Sequence, residues 1–208
     1  MKKVVYIAIA IVIVSVAAYL TYGSQTKITN YPSSGTDILA FGDSLVLGVG
    51  SVRGGGFVKM LSEDLNISII NLGVSGDTTK SALSRLGQIS KYKPKVVILL
   101  LGGNDFLNSV PEEDIFNNLD RIIETIHQTG GIVLLVGLED KTSGKKYGEF
   151  FEKLVEKRGT AYVPDILGGI FGRPELMFDN LHPNDKGYRL MADRIKPILL
   201  PLFDNMLQ

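Results

Sequence analysis

Three stretches of this chain carry side chains with chemistry to offer: Gly42-Asp43-Ser44, Gly102-Gly103-Asn104-Asp105 and Asp179-Asn180-Leu181-His182-Pro183. Ser44 supplies a hydroxyl, Asn104 an amide, Asp179 a carboxylate and His182 an imidazole. A neutral serine hydroxyl is a poor nucleophile and needs a base within hydrogen-bond reach. With only His127 and His182 in the sequence, a histidine base is one of two. The absence of cysteine removes thiol nucleophiles, disulfides and thiolate metal sites together. Two histidines also argue against a multi-histidine metal site. A fourth stretch, Asn71-Leu72-Gly73-Val74-Ser75-Gly76-Asp77, has the same polar, glycine-rich character.

Such groups act together only if something holds them together. Apolar runs rich in β-branched residues fall at 38–41, 67–71, 96–101, 132–136 and 161–163. Their continuous apolar character suits strands buried on both faces. Helical patterns lie between and after them, over 56–65, 78–90, 112–129, 146–157 and 184–202. In the third of these, Ile115, Leu119, Ile122, Ile123 and Ile126 share one face. Pro111 and three acids mark its start, and Gly130-Gly131 its end. Alternating strands and helices predict an α/β fold, a three-layer α/β/α sandwich on a five-stranded parallel sheet. The four polar stretches then all follow strands or precede the last helix, which places them on one edge of the sheet. In open α/β folds the carboxyl edge is where ligands bind.

The 208 residues suit one domain of ordinary size, and a formal net charge of zero gives no basic field for nucleic acid. The amino terminus stands apart. Lys2 and Lys3 precede an uncharged apolar run over 4–20. This predicts a segment over 1–23 that is a membrane anchor or a signal peptide, directing the rest of the chain out of the cytoplasm. At about 1.5 Å per residue its 17 apolar residues span about 26 Å, close to the bilayer core. Cleavage sites near it are poor, which favours an uncleaved anchor with the globular domain outside the cytoplasm, in the periplasm or at the cell exterior. A polar stretch over 24–36 reads as a linker that lets the domain reach a lipid surface, with the domain itself over 37–208.

The four stretches resemble the sequence blocks of the SGNH (GDSL) hydrolase family. Ser44, Gly73, Asn104 and His182 match its serine, glycine, asparagine and histidine, and Asp179 its acid. The runs Ser75-Gly76-Asp77-Thr78-Thr79 and Leu101-Gly102-Gly103-Asn104-Asp105 are similar to its bacterial thioesterase, lysophospholipase and arylesterase subgroup. The resemblance covers about residues 37–202 and implies a flavodoxin-like fold. It also implies a serine ester hydrolase that works without metal or organic cofactor on acyl esters or thioesters. By that resemblance Ser44 is the nucleophile, His182 the base, and Asp179 the group that holds the imidazole. The backbone N–H groups of Ser44 and Gly73 and the amide of Asn104 form an oxyanion hole.

His127, beside the apolar stripe near a helix end, reads as structural. Asp43, Asp77 and Asp105 read as turn or supporting residues. Phe106, Leu107, Phe171, Leu176 and Met177 either line an acyl pocket or pack the core. Segment 138–148 borders the cleft. Competing readings are a carbohydrate O-acetyl esterase of the cell envelope, a metal-dependent phosphoesterase using the three aspartates, and a non-catalytic envelope binding module.

Overall fold

The computed structural model describes residues 27–138 and 147–203. The apolar run over 4–20 and most of the segment over 138–148 lie outside the described residues. Five parallel strands form one sheet: β1 (Asp37–Gly42), β2 (Ile69–Gly73), β3 (Pro94–Leu100), β4 (Ile132–Val136) and β5 (Ala161–Val163). Their order is β2-β1-β3-β4-β5. The chain moves from β1 outward to β2, then returns to place β3 on the other side of β1. That reversal opens a crevice beyond the carboxyl ends of β1 and β3.

Every residue of β3 and β4 is buried, as the continuous apolar runs require. Among the described residues seven α-helices cover the sheet: α1 (Ser44–Leu47), α2 (Gly56–Leu65), α3 (Thr79–Ser84), α4 (Gly103–Leu107), α5 (Glu112–Gln128), α6 (Tyr147–Arg158) and α7 (Asp185–Phe203). They form two packed groups, α2 with α7, and α3 and α6 against α5. The α5 stripe of Ile115, Leu119, Ile122, Ile123 and Ile126 is buried as its spacing predicts. Each such side chain contributes ~1.5–3 kcal/mol on leaving water.

The structure departs from the sequence reading in three places. Strand β2 lies two residues further along than the apolar run over 67–71, starting at Ile69 opposite Ile38 and ending at Gly73 opposite Gly42 in the ladder. The helix expected over 78–90 breaks at Arg85, and a 3₁₀ helix follows over Leu86–Lys91. Short helices α1 and α4 come directly after strands, too short to show a period.

The linker expected over 24–36 also needs correction. From residue 28 the chain is bonded to the domain, crossing the amino ends of β5, β4 and β3 before entering β1. Thr29 donates through its N–H to the Gly159 carbonyl at 2.8 Å and through its hydroxyl to Arg158 at 2.8 Å. Asn30 donates to the carbonyls of His127 and Gly131, at 2.9 and 3.0 Å. Ser33 donates to Gly130 at 2.8 Å. Residues 28–36 are therefore a strap on the sheet's amino edge. Among the described residues no helix is long and apolar enough to cross a membrane.

Candidate active site

Strand β1 ends at Gly42 and the chain turns at once into α1. Asp43 is the N-cap, its Oδ1 accepting from the Leu45 N–H at 2.9 Å. Ser44 is the first helical residue and only 8% exposed. Asn71 ties this turn to β2, donating through Nδ2 to the Val46 carbonyl at 2.7 Å.

His182 comes to Ser44 from the far end of the sequence. The loop before α7 is closed by a bridge between Met177 and Pro183, and by the Phe178 N–H donating to the His182 carbonyl at 2.8 Å. Asn184 fastens it below, donating to Glu175 and Met177 and accepting from the N–H groups of Lys186 and Gly187. So held, His182 Nε2 lies 3.0 Å from Ser44 Oγ, and Nδ1 lies 2.9 Å from Asp179 Oδ2. Asp179 Oδ1 also accepts from the N–H groups of Leu181 and His182, at 2.8 and 2.7 Å. The bond to the His182 ring, followed by these two backbone bonds, draws the Asp179 carboxyl down to about 2. It stays ionised, able to hold Nδ1 as a donor and leave Nε2 facing the hydroxyl as an acceptor.

Gly73, the glycine expected among the oxyanion donors, has its N–H already hydrogen-bonded, donating to Asn71 Oδ1 at 2.9 Å. A Cβ on Gly73 would sit 2.3 Å from the Leu47 nitrogen. Glycine is required there so that α1 can lie against β2, and its donor is already engaged. Gly76, three residues on, has φ of +78° and open space where a Cβ would stand. Its N–H has no hydrogen-bond partner among the described residues. Ser44 likewise keeps its N–H without a partner among them. Asn104, at the start of α4, donates through Nδ2 to the Asp77 carbonyl at 2.8 Å, beside Gly76. An amide has a second N–H to give.

The three aspartates support this edge. Asp105 is buried and accepts from the Thr79 N–H at 2.9 Å and its hydroxyl at 2.6 Å, binding α4 to α3. Asp77 accepts from Arg85 Nε at 2.6 Å and from the Ser81 hydroxyl. Asp43 is 2% exposed, and burial pushes its carboxyl up to about 7 against the pull of the Leu45 bond.

His127 sits at the other end of the molecule, on the last turn of α5. Its backbone carbonyl holds Asn30, and burial lowers its imidazole below the usual range. Of the apolar residues set between pocket and core, Leu176 and Met177 pack in the core and Phe106 lies on Tyr147, ring centroids 3.7 Å apart. Leu107 and Phe171 are exposed. Sequence reasoning missed Gly76, Asn71 and Arg85. Gly76 had a signal, as the glycine of Ser75-Gly76-Asp77. The other two had none, because the carbonyls that tie them to the site, Val46 for Asn71 and Gly42 and Leu72 for Arg85, are backbone atoms brought near only by the fold.

A parallel sheet with hydroxyl, imidazole and carboxylate in hydrogen-bonded series at its carboxyl edge defines a class, the hydrolases with a serine–histidine–acid site. Comparison with known proteins narrows it. The model of the GDSL-like lipase/acylhydrolase family matches residues 40–190. An arylesterase of Vibrio mimicus is 30% identical over 168 residues, 75% of this chain and 84% of that protein. The thioesterase 1/protease 1/lysophospholipase L1 of Escherichia coli (strain K12) is 27% identical over 177 residues, 81% of this chain and 85% of its own. The crystal structure of the psychrotrophic esterase EstA from Pseudoalteromonas sp., inhibited by monoethylphosphonate, is similar with a TM-score of 0.72 and 27% identity. It covers 81% of this chain and 99% of that one. The chain belongs to the GDSL-like lipase/acylhydrolase family, and it is a carboxylic ester hydrolase acting on acyl esters.

Proposed function

We propose that hydrolysis runs through an acyl-enzyme on Ser44. His182 takes the Ser44 proton as the hydroxyl attacks the acyl carbonyl, then returns it to the departing alcohol or thiol. Water repeats the sequence to release the acid. Asp179 orients the ring and stabilises its cation. The oxyanion is held by the N–H groups of Ser44 and Gly76 and by the Asn104 amide, with Gly76 taking the place expected for Gly73. The observation that carries this reading is His182 hydrogen-bonded on one side to Ser44 and on the other to Asp179. An alkyl phosphonate, the inhibitor class bound by the Pseudoalteromonas esterase, should label the protein once, on the peptide containing Ser44. Labelling that persists in Ser44→Ala would overturn the assignment.

The substrate proposed is a lipid ester such as a lysophospholipid, a reading supported by the exposed Leu47, Val74, Leu107, Phe178 and Leu181 on the short helices and loops at this edge and by the naming of the Escherichia coli relative. The run over 4–20 is proposed as an uncleaved anchor, with the domain outside the cytoplasm. With residues 28–36 strapped to the amino edge, the tether over 21–27 reaches at most ~25 Å. The seven residues of β3 alone separate the two edges by ~23 Å. The two lengths are about equal, so the site reaches the membrane that holds the anchor only with the tether close to full extension. Sequencing the amino terminus of membranes washed with alkaline carbonate tests the anchor: a soluble product beginning near residue 24 is the contrary result.

A further inference from the structure

Arg85 stands where α3 breaks, and its guanidinium reaches three parts of the site's frame. It donates to the Gly42 carbonyl at 2.9 Å, to the Leu72 carbonyl at 2.9 Å and to Asp77 Oδ2 at 2.6 Å. Its carbon lies 4.0 Å from the centre of the Phe41 ring. Gly42 ends the strand that leads to Ser44, and Leu72 lies in the strand that leads to Gly76. Asp77 comes directly after Gly76, and its carbonyl receives the Asn104 amide. The pair is buried, with the Arg85 side chain 12% exposed and that of Asp77 3%. A buried ion pair is weak evidence for stability, since desolvation offsets much of the attraction. What a planar fork with fixed donor directions supplies is geometry, which a lysine cannot reproduce.

We propose that Arg85 is a positioning residue for acyl transfer, clamping the Gly76-Asp77 turn to the end of β1 so that the oxyanion donors stand in register with Ser44. This rests on the oxyanion role proposed above for Gly76 and Asn104. Arg85 touches no substrate. It acts through two backbone carbonyls and one carboxylate, all in segments that carry the donors. Displacement of reacting groups by about 1 Å costs ~10²-fold in rate, so loosening this clamp lowers kcat and leaves ground-state binding alone.

The test uses Arg85→Lys, Arg85→Gln, Asn104→Ala and the double variant Arg85→Gln/Asn104→Ala. For each, kcat and KM on a p-nitrophenyl ester are measured with thermal unfolding and affinity for a trifluoromethyl ketone, which forms a tetrahedral adduct on serine. The expected result is kcat down about 10-fold in Arg85→Lys and about 10²-fold in Arg85→Gln, with KM within about twofold. Ketone affinity falls in parallel and the shape of the pH profile is kept. Asn104→Ala then costs less in the Arg85→Gln background than alone, because both changes disable one hole. Losses that multiply, a raised KM at constant kcat, or activity that tracks only the folded fraction overturn the proposal. Arg85→Lys keeps the charge, and serves if Arg85→Gln does not fold. If Asn104→Ala itself is without effect, the oxyanion reading fails first and takes the clamp with it. If Asn104→Ala is damaging and the losses multiply, the clamp alone fails.

Discussion

At the amino edge of the sheet, Thr29, Asn30 and Ser33 commit their donors to backbone carbonyls, and the crossing chain covers the ends of three strands. At the carboxyl edge, the Ser44 and Gly76 N–H groups have no partner among the described residues, and an acid is held in burial with its carboxyl raised. The chain's two histidines divide between these edges, His127 at the closed one and His182 at the open one. Polar groups satisfied by their own protein stabilise a fold, while groups left facing a cleft are available to a ligand. Both edges are built with satisfied bonds, but the backbone donors left over at Ser44 and Gly76 stand at the carboxyl end of the strands.

The largest expected effect sets one histidine against the other. His182→Ala removes the acceptor 3.0 Å from Ser44 and should lower kcat/KM on a p-nitrophenyl ester by more than about 10³-fold. His127→Ala should leave it within about twofold, with any change confined to stability. The opposite ranking would break the division between edges.

Two glycines sharpen it next. Gly73→Ala forces a Cβ against the backbone of α1 and should destabilise the protein by ~3 kcal/mol, seen as a lower urea midpoint. Gly76→Ala meets open space but must hold φ of +78°. It should cost only ~1–2 kcal/mol of stability while displacing its N–H, with kcat falling roughly 10–10²-fold. A stable but inactive Gly73→Ala would return the oxyanion role to that residue.

An effect on stability alone concerns Asp43. Its folded carboxyl is raised from 3.8 to about 7, chiefly by burial. Between those values the native state binds the proton that the unfolded state has released, so stability falls as pH rises through this window. The penalty is absent below pH 3.8 and complete above about 7. Asp43→Asn keeps the N-cap acceptor and should flatten this part of the urea-midpoint profile between about pH 4.5 and 7.5. An unchanged slope would show that Asp43 does not carry it.

What the sequence alone determined was the alternation of strands and helices, and the stretches that carry chemistry. Buried parallel strands must be continuously apolar and α5 must keep one apolar face, so both are visible in residue order. Asp179 and His182 were legible together because one short loop carries both. Ser44 was legible through its place after β1. The tertiary structure decided which backbone donors remain free. Gly73 and Gly76 lie in one short stretch, and only the fold engages the Gly73 N–H with Asn71 and leaves that of Gly76 open. It also turned a polar stretch into a strap, since the carbonyls that receive Asn30 and Ser33 lie about a hundred residues away. Arg85 was invisible for the same reason: its partners at Gly42 and Leu72 are backbone atoms, which any sequence possesses and only a fold aligns.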